Sequence, residues 1–150
     1  MITPVLSTLA AVLLQSQADV IDLAGQPDQA QIEAWRSQGV EKIISLQTPA
    51  ELDDYAFDLS DTIAGHGVIH AHVPTTGGSG PMTADQLAAV LADSDGEVVI
   101  HCRSGNRARH LYAAALIRSG QLEPRDYRSV DPNGDWNEDL LERFAGVESD

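Results

Sequence analysis

Glu97-Val98-Val99-Ile100-His101-Cys102-Arg103-Ser104-Gly105-Asn106-Arg107 is the stretch on which the fold turns. Glu97 to His101 reads as a strand whose apolar run, Val98 to Ile100, suits a sheet covered on both faces. It runs directly into Cys102 and a tight turn. A helix is then expected from about Arg107 to Ser119, with Leu111, Ala114 and Ala115 on its inner face and Gly120 closing it. A buried strand feeding a helix through a short loop is half of a parallel crossover unit, and such units join right-handed. In sheets built this way, ligands sit at the carboxyl ends of the strands. Cys102 stands at such an end.

The flanking chain repeats the alternation. Val20 to Ala24 is a short strand, and Gly25-Gln26-Pro27 is a turn. Asp28 can N-cap a helix through about Gln38, ended by Gly39. Ile32 and Trp35 share one face of it. Val40 and Lys42 to Leu46 form the next strand. Thr48 with Glu51 matches a capping box. Gly67 to Pro74 is a third main strand, followed by a flexible loop from Thr75 to Pro81. Thr83 is expected to N-cap a helix carrying Leu87, Val90 and Leu91. Asp135 with Glu138 is expected to open a last helix bearing Leu140, Leu141 and Phe144. The fold class is α/β: a single domain with a central, mainly parallel sheet flanked by helices.

At 150 residues the chain is one domain's length, and 43% hydrophobic residues can furnish a core, which excludes a disordered or collagen-like chain. A single cysteine excludes an internal disulfide and a multi-cysteine metal site. Nine basic against 23 acidic residues leave a net charge of −14, which speaks against nucleic-acid and anionic-membrane partners. Against that background Arg103, Arg107 and Arg109 form a local basic cluster. Residues 1–18 read as a signal peptide or N-terminal extension. Pro4 to Leu14 is apolar but too short to span a bilayer, and small residues occupy Ser16 and Ala18. A leader would make the protein periplasmic or secreted; without one it would be cytoplasmic. Residues 19–150 carry the domain.

The chemistry concentrates in the loop. Backbone N–H groups of a tight turn and the start of the following helix make an anion cradle from Arg103, Ser104, Gly105 and Asn106. Gly105 permits a backbone conformation closed to other residues. Arg107 can add a forked contact to an oxyanion, whereas Arg109 falls further along the helix. The same field favours a thiolate at Cys102 and makes it the candidate nucleophile. His101 is expected to orient the loop by hydrogen bonding.

This segment resembles two families. Cysteine-dependent phosphatases of the tyrosine and dual-specificity type carry His-Cys, five residues, then Arg. Rhodanese-type sulfurtransferases carry Cys, four residues, then Arg, and the gap from Cys102 to Arg107 is four. The wider pattern covers about residues 19–120: Ala24 to Pro27, Gly39-Val40, Ile43 to Leu46, Glu51, His72-Val73-Pro74, Thr83, Leu87 and Gly96 to Gly105. It resembles the phosphatase-like domain of beta-lactamase-hydrolase-like proteins. The resemblance implies a dual-specificity-phosphatase-like α/β fold built on a Cys-x4-Arg loop. Two departures stand out. Gln47 occupies a position where that family often has Arg. The Thr75 to Met82 segment lacks the acid that a phosphatase uses to protonate its leaving group, leaving Asp85, Glu51 and the more distant Asp53 as candidates.

Loop length and the missing acid together make sulfur transfer the first expectation, with a persulfide carried on Cys102. The alternative is a phosphatase working through a phosphocysteine. A third reading is a non-catalytic anion-binding regulatory domain. The expected ligand is a small anionic or sulfur-containing substrate, or a phosphorylated one, and neither cofactor nor metal is required. His70 and His72 share a strand face and read as structural histidines. Asp131 to Glu142 matches a calcium loop at several positions but has Trp136 where glycine is needed, so it reads as a turn and a helix start.

Overall fold

A computed structural model describes residues 17–148. Four strands, β1 (Gln17–Ala24), β2 (Val40–Ser45), β3 (Ile69–His72) and β4 (Asp95–His101), form one sheet in the order β1-β4-β2-β3. All three pairings are parallel, so the expected sheet is present. The helices are α1 (Gln29–Ser37), α2 (Pro49–Asp53), α3 (Leu59–Gly65), α4 (Pro81–Ala92), α5 (Asn106–Arg118) and α6 (Glu138–Ala145), with a 3-10 segment at Pro124–Val130. No helix among the described residues is long and apolar enough to cross a membrane.

Alternation along the central strands sends side chains to two cores. Ile43 and Val99 face α1 and α3 and meet Ile32, Trp35, Leu59 and Ile63. Ile44, Val98 and Ile100 face α4, α5 and α6 and meet Leu87, Leu111, Ala114 and Phe144. Burial on both faces explains why these strands read as continuous apolar runs. β4, central between β1 and β2, delivers its last residues to the middle of the sheet's carboxyl edge.

Several local expectations hold. Asp28 caps α1 by accepting from the Gln31 N–H at 2.8 Å. Thr48 and Glu51 form the reciprocal capping box of α2. Others need correction. Thr83 does not cap α4: the helix begins at Pro81 after Gly80, because a proline's fixed φ and missing N–H suit the first helical position. The last helix is capped by Asn137, whose side chain accepts from the Leu140 N–H at 3.1 Å, not by Asp135. Glu138 instead accepts from the Tyr127 hydroxyl at 2.8 Å. β3 is only four residues long, within the longer strand expected from Gly67 to Pro74. The sequence reading missed α3, capped by Asp58, and the 3-10 segment. β1 begins at Gln17, and the rest of the leader segment lies outside the described residues.

Candidate active site

The carboxyl edge of β4 is locked into place before the loop begins. The Cys102 N–H donates to the Ala24 carbonyl at 3.0 Å, and the Leu46 N–H donates to the His101 carbonyl at 2.9 Å. Beyond Cys102 the chain folds back against the turn after β1, where Gly25 bridges Ser104 and the Gln26 N–H donates to the Arg103 carbonyl at 2.8 Å. A Cβ on Gly25 would sit 3.0 Å from the Arg103 carbonyl oxygen, so any larger residue would push that carbonyl back by a few tenths of an ångström. Gly105 has φ +90° and caps α5 in the left-handed region. That turn aims the Gly105 N–H at the Cys102 sulfur, 3.1 Å away. Cys102 is fully buried, with its Sγ beside the amino end of α5, where the backbone dipoles favour negative charge.

Arg107 closes the other side. Its Nη1 donates to Glu51 Oε1 at 2.8 Å and to the Thr75 carbonyl at 2.7 Å, and its Nη2 donates to Glu51 Oε2 at 2.7 Å. The Nη1–Nη2 fork is therefore engaged by a carboxylate of the protein, while the Nε–H takes no part in these bonds. Glu51 is the main reason Arg107 stays firmly charged, and the nearby Cys102 adds to the effect. In return, hydrogen bonds from Arg107 hold the Glu51 carboxyl well below the usual carboxylate range, against the opposing push of burial. Arg103 projects to solvent, 3.4 Å from Glu51 and 3.6 Å from Asp54.

His101 is fully buried, and its Nδ1 lies 3.4 Å from the Cys102 carbonyl oxygen. Burial lowers its pKa to about 4, so the ring is neutral at pH 7. A polar chain borders the loop: the Tyr55 hydroxyl donates to Gln47 Oε1, and Gln47 Nε2 donates to Gln26 Oε1 at 3.0 Å. Burial, with the negative charge of Glu51 second, raises the Tyr55 pKa and keeps the phenol protonated.

Cys102, Arg103, Ser104, Gly105, Asn106 and Arg107 thus make one continuous turn around the sulfur. Arg109 leaves it, donating to the Asp135 carbonyl at 3.2 Å and lying 3.7 Å from Asp131. Asp85 does not join it. Its carboxylate takes two bonds from Arg118, at 2.6 and 3.0 Å, at the far end of the thirteen-residue α5. Glu51 does join it, as the ion-pair partner of Arg107. The Asp131 segment forms a turn, with the Gly134 N–H donating to the Asp131 carbonyl at 3.0 Å, as does Trp136 Nε1. His70 and His72 stack at 5.9 Å, and no group of three metal-ligating side chains gathers among the described residues. The sequence reading missed the Thr75 carbonyl and the Gln26–Gln47–Tyr55 chain, because each joins segments brought together only by the strand order.

The family model for the beta-lactamase hydrolase-like protein, phosphatase-like domain, matches residues 14–118, most of the chain and the whole of this loop. The chain belongs to that family. A beta-lactamase hydrolase-like protein of Xylella fastidiosa (strain Temecula1) is 27% identical over 106 residues. That match covers 67% of this chain and 24% of the relative, so the chain spans about a quarter of the relative's length. Among solved structures, Tk-PTP in its active form superposes with a TM-score of 0.65 at 16% identity, over 90% of this chain and 93% of that one. PTPMT1 gives 0.63 at 17%, over 79% and 83%. TpbA of P. aeruginosa gives 0.63 at 16%, over 83% and 78%. The fold of this domain is that of the protein tyrosine phosphatase-like proteins.

Proposed function

We propose that this domain is a cysteine-dependent phosphatase, the second of the two enzymatic readings of its sequence. One observation carries the reading: a buried sulfur at the carboxyl edge of the sheet accepts a loop N–H at the amino end of α5, with Arg107 fixed beside it. Family membership and the phosphatase-like fold favour phosphate over sulfur transfer. The four-residue gap between Cys102 and Arg107 is the observation that keeps sulfur transfer as a second reading.

In the proposed reaction the phosphoryl oxygens lie against the loop N–H groups and the N–H groups of Arg107 that Glu51 and Thr75 do not take. Cys102 Sγ attacks phosphorus in line with the leaving oxygen, and the preorganised donors stabilise the charge on the equatorial oxygens. Water then attacks the phosphocysteine, releasing inorganic phosphate and restoring the thiolate.

The test assays the purified protein on an aryl phosphate and, in parallel, on thiosulfate with cyanide and on glutathione persulfide, with Cys102→Ser as the blank. Cys102-dependent phosphate release, with a phosphocysteine trapped by acid quench, supports the proposal. Sulfur transfer without phosphate release would reject it.

A further inference from the structure

An alkoxide leaving phosphorus needs a proton, and an enzyme group can supply it only while protonated and within about 3 Å of the leaving oxygen, directly or through one water. Among the described residues, the turn after β1, α2 with the residues that follow it, the 75–80 loop and the 102–106 loop itself border the cradle.

The 75–80 loop, which Arg107 grips through the Thr75 carbonyl, contains no acid. Its hydroxyls are turned inward: Thr75 Oγ1 donates to the Val73 carbonyl, Ser79 Oγ accepts from the Thr76 N–H, and Thr76 Oγ1 accepts from the Gly78 N–H. Arg143 pins the loop from α6 through the Gly77 carbonyl at 2.6 Å. On α2, Glu51 is an ionised carboxylate flanked by Arg107 and Arg103 and has no proton to give. Asp53 is exposed, and Asp54 is exposed beside Arg103. In the turn after β1, Asp28 caps α1; on β1, Asp22 accepts from Trp35 Nε1. The Tyr55 O–H donates a hydrogen bond to Gln47 Oε1, His72 Nε2 lies 2.8 Å from the Gln47 carbonyl, and His101 is neutral and enclosed. Residues 1–16 contain neither Asp nor Glu, and Asp150 is the one acid outside the described residues.

We infer that the leaving group departs as an anion without a proton from the described residues, so that the substrates are acyl phosphates or phosphoanhydrides, not alkyl phosphate esters. The inference rests on the phosphatase reading above. In the first step the S–P bond forms and the P–O bond breaks, and the electron pair leaves on a carboxylate or phosphate oxygen that is stable at neutral pH. In the second, water oxygen bonds to phosphorus, the P–S pair returns to Cys102, and the water proton passes to solvent. Nothing is oxidised or reduced.

The experiment measures kcat/KM of the full chain for acetyl phosphate, for aryl phosphates of graded leaving-group acidity, and for glycerol 3-phosphate, each corrected with Cys102→Ser. Rates should fall steeply as the leaving group becomes more basic. Glycerol 3-phosphate should lie at least about a hundredfold below acetyl phosphate, the minimum span a general acid typically covers. Asp53→Asn and Asp54→Asn should leave the whole series within about twofold. Glycerol 3-phosphate turned over within tenfold of acetyl phosphate would overturn the inference. So would a carboxylate variant that slows only the poor leaving groups. Absence of Cys102-dependent turnover across the series rejects the phosphatase reading itself, and is recognised because no slope can then be drawn.

Discussion

Glu51 and Arg107 meet through two parallel N–H···O bonds, and the pairing decides which part of the guanidinium a substrate can use. A bidentate pair fixes the plane of the guanidinium, a geometry that lysine cannot reproduce. Arg107→Lys is therefore expected to lower kcat/KM by about a hundredfold or more, the scale of losing one preorganised oxyanion donor. Glu51→Gln keeps the shape but loses the charge that orients Arg107, and should cost about tenfold, less than loss of the donor itself. Arg109→Lys should leave activity within about twofold, because Arg109 is engaged with Asp131 and Asp135. Steady-state kinetics on the three variants check the assignment, and equal losses for the lysine variants at 107 and 109 would refute it. Cys102 and Arg107 could be read from the sequence because one strand–turn–helix holds both. The Glu51 partnership could not. It joins residues 56 apart, and only the adjacency of β2 and β4 creates it.

At the scale of elements, the loop is shaped by two glycines with different duties. Gly105 supplies a positive φ, so that its own N–H, at the cap of α5, is turned toward the sulfur. An L-residue forced into that region costs roughly 1–2 kcal/mol. Gly105→Ala should lower stability by about that amount, read from urea unfolding midpoints, and should also reduce activity by displacing the N–H from Sγ. Gly25→Ala meets a different obstacle, the Arg103 carbonyl. It should cost activity more than stability, since relief comes from moving the turn that braces the loop. An unaltered activity in both variants would show that the glycines do not shape the site. Helices with strong local signals were legible in the sequence: the Asp28 cap, the Thr48–Glu51 box and the cysteine turn all stand as read. Two elements were not. Leu59–Gly65 is rich in Ser, Asp and Thr, which favour helix interiors poorly, and is held by Leu59 and Ile63 packing beneath the sheet. The Pro124–Val130 segment depends on Tyr127 burying against Ala113 and Leu141. Tertiary packing that neighbours in sequence do not encode decides both.

Across the whole molecule, two buried histidines and one half-buried one make the fold sensitive to acid. His101, His70 and His110 all have pKa values lowered by burial, His101 to about 4. For His110 the bonding shows why protonation is unfavourable: its Nε2 accepts from the Asn137 N–H at 2.9 Å while Nδ1 lies 2.7 Å from the Asn106 carbonyl. A second ring proton would break the Asn137 bond and disturb the start of α6. The unfolded chain takes up these protons near pH 6.5, whereas the folded chain resists until lower pH. Between those values the unfolded state binds more protons, so stability falls as pH falls. For His101 the gap from 6.5 to about 4 corresponds to about 3 kcal/mol, at roughly 1.4 kcal/mol per pH unit. Glu51 acts in a lower window. Its folded value lies below its unfolded one, so its contribution is present above the ordinary carboxylate range and is lost as pH falls through it. Ordinary carboxylates take up protons mainly below about pH 5.5 and so relieve repulsion among the 23 acidic residues, which leaves the interval from about pH 6.5 to 5.5 to the histidines. Urea unfolding at pH 7.5, 6.5, 6.0 and 5.5 should therefore show a flat region followed by a loss below 6.5. His110→Asn should flatten part of that slope, and His101→Asn, if it folds, a larger part. Stability constant from pH 6.5 to 5.5 in the parent protein would show that these rings accept protons without disturbing the fold.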